Sequence, residues 1–252
     1  MRYGLYVSNF GSNSDARRVA RLASEGEKAG WDGVFLWDHL AFVWGQPSAD
    51  PWVVLAACAV ATERVVLGTA VTPVPRRRVQ NLAQAVATLD RLSGGRVVFG
   101  AGLGGNRSEF ERFGEDFSRP LRLELLEAGL VRLRRWWDGE EVEGIRLLPG
   151  PVGRVPVWVG GNSAELVALA GRYEGWIANS AGREGVRLPP EEFAEAAARI
   201  GGDRVVLNGA SGTATPEEYA AVGATWWLEA VHDWRGGPEE MLGLVRAGPP
   251  RA

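Results

Sequence analysis

Two histidines, His39 and His232, are the only side chains in these 252 residues whose ordinary titration falls near neutral pH. His39 ends an apolar run, WDGVFLW (31–37), and follows an acidic residue, Asp38. At the tip of a strand such a pair can give a proton to a substrate or take one from it. His232 sits in HDWRGG (232–237), a loop-like stretch, and a structural role fits it better. The one lysine, Lys28, lies late in a helical stretch, which argues against Schiff-base chemistry. Two histidines are too few for a histidine-rich zinc site, so no metal ligand set is expected.

The next chemistry-bearing stretch is Gly160-Gly161-Asn162-Ser163, after the apolar PVWV. Two glycines let the backbone approach an anion, the following helix directs its amides there, and Asn162 or Ser163 can add a donor. Taken alone, a tight turn with an ordinary helix cap is the better reading. Gly100, Gly102, Gly104 and Gly105 permit close approach of a flat ring, but a plain loop has the same composition. Eleven tryptophans exceed what a core needs. Trp44 and Trp226 are expected to wall a substrate pocket with Asp38. Trp226 and Trp227 point to opposite faces of one strand, so at most one faces inward. Glu229 is either a carboxylate of that pocket or the partner of an arginine.

These residues need a frame, and the hydrophobic pattern supplies one. Apolar runs at 2–8, 31–37, 65–71, 97–103, 156–161, 175–180, 204–210 and 225–231 read as strands. Helical spacing separates them, as in Val79, Leu82, Val86, Leu89 and Leu92 before Gly94-Gly95. Ser14, Asp50-Pro51, Ser108 with Glu111, and Thr215-Pro216 are helix-start signals. Eight strands alternating with eight helices, with no break in composition, predict one (β/α)₈ barrel of class α/β over residues 1–252. In such a barrel the site lies at the C-terminal ends of the strands. This places Asp38, His39, Ala70, Val71, Thr72, Gly102 to Arg107, the 160–163 tip, Asn179, Ser180, Asn208 and Glu229 together at one mouth.

A net charge of −3 gives no electrostatic case for nucleic acid, and no apolar run reaches membrane-spanning length. Cys58 is the only cysteine, which suits a reducing compartment. With the first strand opening at Arg2 and no signal-like stretch before it, a cytoplasmic location is expected. Arg76-Arg77-Arg78 reads as a solvated rim or a contact for an anionic tail.

At WDGVFLWDHL, RVVLGTAVTP, LAQAVATLDRLSGGRVVFGAGLGG, PVWVGGNS and GATWWLE the chain resembles the bacterial luciferase-like flavin oxidoreductases. These include FMN-dependent monooxygenases and deazaflavin (F420)-dependent dehydrogenases. The resemblance implies the same barrel in a short variant, FMN or F420 as cofactor, and a small organic substrate. It implies reduced FMN and oxygen as the main reading, with a separate flavin reductase as partner. Hydride transfer to or from F420, or flavin binding without turnover, are the alternatives. A homodimer is the expected assembly. By position, His39 matches the histidine facing the reactive edge of the flavin. Ala70-Val71 matches a non-proline cis dipeptide behind the ring, with Thr72 beside it. Leu103 and Gly104 match ring or ribityl contacts, and Gly160-Gly161 the phosphate glycines, with Asn162 and Ser163 next to them. Gly105 departs from the pattern, standing where the sugar-phosphate dehydrogenases of the F420 branch carry a catalytic glutamate. Ala210 to Thr215 is too short for the insertion that lids the substrate in relatives.

Overall fold

The computed structural model describes residues 1–179, 181–182, 185–186, 188–208 and 215–250. Eight parallel strands form the barrel: β1 (Arg2–Val7), β2 (Gly33–Leu36), β3 (Val66–Thr69), β4 (Val97–Gly102), β5 (Val157–Gly160), β6 (Gly175–Ala178), β7 (Asp203–Asn208) and β8 (Trp226–Val231). Each pairs with its sequence neighbour, and β1 pairs with β8 in register Tyr6 to Ala230, which closes the cylinder. The predicted fold class is the observed one. The insertion expected to be missing at 210–215, and the mouth residue Ser180, fall outside or largely outside the described residues.

Between the strands run α1 (Ala16–Lys28), α2 (Pro51–Ala61), α3 (Val79–Ser93), α4 (Ser108–Glu111), α5 (Arg119–Trp137), α6 (Ala164–Ala170), α7 (Pro190–Ala197), α8 (Pro216–Ala221) and α9 (Pro238–Ala247). Local chemistry explains most of their ends. Asp50 Oδ1 accepts from the Trp52 amide at 2.9 Å, with Pro51 in the first turn, where its missing N–H costs nothing. Gly94 stops α3 at φ 71°, and Thr215 and Glu218 form the capping box of α8. Two expectations differ. Asp15, not Ser14, caps α1, because Ser14 is used in a 3₁₀ turn, Gly11–Ser14. Ser108 and Glu111 form no capping box: the Ser108 hydroxyl donates to Asn106 Oδ1 at 2.7 Å.

The interior of the barrel is plugged by Phe35, Trp158 and Trp226, whose ring centroids lie 5.3 to 5.5 Å apart. Val98, Val205, Ile177 and Leu228 fill the gaps. A separate, larger apolar layer lies between strands and helices, and includes Leu5, Val34, Leu67, Phe99, Val157 and Trp176. Each such fully buried side chain contributes roughly 1.5–3 kcal/mol relative to exposure. Leu92, predicted for the buried face of α3, is instead 50% exposed. The helix α1 runs back against the strand direction and ends in Lys28 at the N-terminal end of the barrel, opposite the mouth. Among the described residues no helix is long and apolar enough to cross a membrane, and no trio of His, Cys, Asp or Glu could hold a metal ion.

Candidate active site

The strand tips surround a cavity of about 340 Å³, within the range of small-molecule sites. One wall holds Tyr6, Trp37, Asp38 and His39, another Ala70, Val71 and Pro73. Leu103, Gly104, Gly105, Gly160, Gly161 and Asn179 form the far side. His39, Ala70, Val71, Leu103, Gly104, Gly160 and Gly161, all picked from sequence, therefore share one space.

His39 is fixed from both ends. Its backbone is clamped by Asn9, whose side chain accepts from the His39 amide at 3.1 Å and donates to its carbonyl at 2.9 Å. The Asn9 amide also donates to the Ala49 carbonyl at 2.8 Å, so the clamp cannot rotate freely. The imidazole Nδ1 lies 2.7 Å from Glu109 Oε1. A carboxylate in its ionised form only accepts, so the pair favours a hydrogen on Nδ1, and in the neutral imidazole this leaves the lone pair on Nε2. Phe10, Trp37 and Trp44 stand 5.2 to 6.0 Å from the imidazole centroid and wall it on several sides, leaving its side chain about one third exposed. Trp44 is tied in place by its indole N–H, which donates to the Ser108 hydroxyl at 3.1 Å.

Behind His39 lies a chain of ion pairs. Arg76 bridges Glu109 Oε2 and Asp38 Oδ1, the latter at 2.7 Å, and also donates to the Asp38 carbonyl. Arg77 holds both Asp38 oxygens, at 2.8 and 3.0 Å, and reaches Asp50 at 3.2 Å. The pull of Asp38 and Asp50 outweighs burial and raises the Arg77 pKa. Because Asp38, Glu109 and Arg76 are almost wholly buried, removing one member would strand its partner's charge, at a cost of about 3–5 kcal/mol.

The barrel's third edge shapes the cavity floor. The Ala70–Val71 peptide is cis, after which Thr72–Pro73 rejoins β4. Val71 projects over the mouth. A Cβ on Gly102 or Gly160 would sit 2.4 or 2.6 Å from its methyls, and one on Gly100 only 1.8 Å from the Thr69 carbonyl oxygen. These glycines thus make room for β3 and Val71 first. Gly105 differs: a Cβ there would meet nothing within 4 Å. Gly161 has φ 133°, and its carbonyl accepts from the Trp176 indole at 2.8 Å.

Several residues expected at the site are occupied elsewhere. Thr72 is fully buried, does not border the cavity, and donates its hydroxyl to Thr69 at 3.1 Å. Asn162 is spent on Asn179, just past β6, accepting from its amide and donating to its carbonyl, each at 2.9 Å. The Ser163 hydroxyl accepts from Arg119 at 2.8 Å. Asp38 borders the cavity, but Arg76 and Arg77 cover its carboxylate, so it does not face a substrate. Trp226 lies at the opposite end of the barrel, under the Arg2 guanidinium at 4.3 Å, because it is the first residue of its strand. Glu229 points outward, accepting from the Trp227 indole at 2.7 Å and pairing with Arg235. Of the three rim arginines, Arg76 and Arg77 are committed to Asp38, Glu109 and Asp50 and are not free for an anion, whereas Arg78 is exposed. Two residues that hold His39 escaped the sequence reading: Asn9, just past β1, and Glu109, whose signal was masked by its place at a helix start.

His232 is buried beside Trp37, ring centroids 5.3 Å apart, and its Nδ1 has no partner among the described residues. Burial, reinforced by Arg235, lowers its pKa from 6.5. The buried Trp37 indole N–H is likewise unpartnered on the cavity wall. An orphan donor, an open backbone at Gly105 and an apolar floor suit a flat heteroaromatic ring with carbonyl acceptors.

Fold and site define a (β/α)₈ protein with a histidine–carboxylate couple over a ring-sized cavity. The chain belongs to the luciferase-like monooxygenase family, whose model matches residues 1–236. It is 36% identical over 198 residues to an F420-dependent glucose-6-phosphate dehydrogenase of Microbacterium testaceum, covering 71% of this chain and 57% of that one. It is 33% identical over 184 residues to an F420-dependent hydroxymycolic acid dehydrogenase of Mycobacterium tuberculosis, covering 65% and 49%. The chain thus spans about half the length of these relatives. In three dimensions it is similar to a monooxygenase of Streptomyces bottropensis, with TM-score 0.78 and 20% identity over 98% of this chain and 97% of that one.

Proposed function

We propose that this protein is an F420-dependent dehydrogenase acting on a small alcohol or the corresponding carbonyl compound. The observation that carries the reading is the His39–Glu109 couple on the cavity wall, in which the carboxylate lies 2.7 Å from the imidazole Nδ1. Bound F420 would supply hydride chemistry. Trp37, Val71, Leu103 and the Gly104-Gly105 backbone would hold its ring. His39 Nε2 would take the alcohol proton, with Glu109 and Arg76 steadying the imidazole. Phe10, Trp37 and Trp44 would keep water from the reacting atoms. The naming of two relatives above 30% identity as F420-dependent supports this choice of cofactor. Sugar phosphate is disfavoured as substrate, because Gly105 offers no carboxylate where the resemblance implies one.

Titration of the purified protein with F420 and with FMN tests the reading. Tight binding of F420, followed by loss of its oxidised absorbance with members of an alcohol panel, supports it. Binding of FMN alone overturns it. The second reading is an FMN monooxygenase fed by a separate reductase. The aromatic wall of Phe10, Trp37 and Trp44 around His39 favours it, since these side chains would limit the access of water to a bound flavin.

We further propose a homodimer through α2 and α3. The helix α2, PWVVLAACAVA, carries no charged residue, although one side of it is open, with Val53 66% and Val60 76% exposed. A helix apolar all round belongs in an interior. With α3 it borders a groove of about 770 Å³ on the outside of the barrel.

A further inference from the structure

Tyr6 borders the cavity and has taken no part in the chemistry so far. Along β1, Leu5 and Val7 join the layer under the helices. Tyr6, between them, turns inward and packs on the inner cluster that holds Phe35, Ile177 and Leu207. In register it faces Phe35 of β2 on one side and Ala230 of β8 on the other. Among the described residues its hydroxyl has no hydrogen-bond partner. Burial raises its pKa, so the phenol keeps its proton and stays a donor at any ordinary pH.

The rest of the wall shows what this donor could meet. The β3 to β5 side offers Ala70, Val71, Leu103 and glycines, which suit a flat ring. The other side offers Tyr6, Trp37, His39, Ile177 and Leu207, and a substrate must lie there to reach His39. Ile177 and Leu207 neither donate nor accept. Arg76 and Arg77 cover the Asp38 carboxylate, and Asn179 is exposed at the tip of β6. Ligands that displace water from this side therefore leave the phenol unpaired, unless one of them brings an acceptor. The fold itself makes no use of the oxygen, and Phe would pack as well. The Trp37 ring stands between the two polar groups, its centroid 5.0 Å from that of Tyr6 and 5.9 Å from that of His39. The phenol thus addresses a different atom of the substrate than the imidazole does.

We infer that Tyr6 determines specificity: its hydroxyl donates to a second oxygen of the substrate, one that is not oxidised, and so selects hydroxy ketones over plain alkanols of the same skeleton. This rests on the F420 reading given above.

The test uses the full chain and two matched pairs, butan-2-ol with acetoin and pentan-2-ol with 4-hydroxypentan-2-one. Each pair differs by one carbonyl oxygen. With F420, kcat/KM should be at least about fivefold higher for a hydroxy ketone than for its alkanol. Tyr6→Phe should erase that margin, mainly through KM, and leave the alkanols within about twofold. The variant's Kd for F420, followed by fluorescence, should stay within about twofold of wild type, and its thermal midpoint without cofactor should be no lower. A margin that survives in Tyr6→Phe, no margin in the wild type, or no turnover of either pair with F420 bound overturns the assignment and leaves F420 binding standing. A marked loss of F420 affinity in the variant places the hydroxyl on the cofactor, and a lowered midpoint makes it structural; either overturns the assignment too. Failure of the wild type to bind F420 overturns the F420 reading, and this assignment with it.

Discussion

Val71 stands directly over Gly160: a Cβ added to the glycine would come within 2.6 Å of a valine methyl. A β-branched side chain has few ways to yield. Gly160→Ala is therefore expected to cost about 1–3 kcal/mol, the usual penalty of overpacking. It should also weaken cofactor binding, because Val71 would be pushed toward the ring site. Combining it with Val71→Ala should recover most of the stability in a thermal-melt double-mutant cycle. Strict additivity of the two changes would show that they do not meet.

His39→Ala should lower turnover about 10²–10⁴-fold, the range for a lost acid–base group, and leave cofactor affinity nearly unchanged. Glu109→Gln removes the fixed tautomer without removing the base, so a smaller loss and an altered pH–rate profile are expected. A Glu109→Gln enzyme with the wild-type profile would limit Glu109 to a structural role.

The buried His232 gives stability a pH dependence of known sign. Its pKa falls below 6.5 in the folded state, chiefly through burial, so the unfolded chain binds the proton more tightly. The stabilisation is complete above 6.5 and is lost as pH falls from there toward the folded value. Urea midpoints measured between neutral and mildly acid pH should show this slope in the wild type and a reduced one in His232→Gln. An unchanged slope in the variant would assign the effect to other groups.

The open face of α2 predicts an association that one charge disrupts. Val53→Glu should shift the mass measured by sedimentation from dimer to monomer, at unchanged secondary structure. A wild-type monomer at high concentration would dismiss the proposed interface.

Much of this molecule was legible as a string of residues, and the exceptions have physical causes. Apolar runs ending in Gly, Asn or Asp-His marked the strands and their tips, so His39, Val71, Gly104 and Gly161 fell on the same side without a structure. Position along a strand was harder to use. Trp226 is inward as parity allows, but it begins its strand and so plugs the far end of the barrel. The same parity sends Glu229 outward, to Trp227 and Arg235. Long-range charge pairing left no local trace: nothing near Arg76 indicates that it is buried between Asp38 and Glu109. The Asn162 side chain was likewise committed to the backbone of Asn179, past the next strand, where reading along the chain could see only a turn donor.

The placement of Lys28 has a practical side. Its ammonium is 71% exposed at the end of α1, on the barrel face opposite the mouth. Amine-directed coupling to a sensor chip or bead would therefore tether the molecule through Lys28 or the Met1 amine beside the start of β1, with the strand-tip cavity facing the liquid.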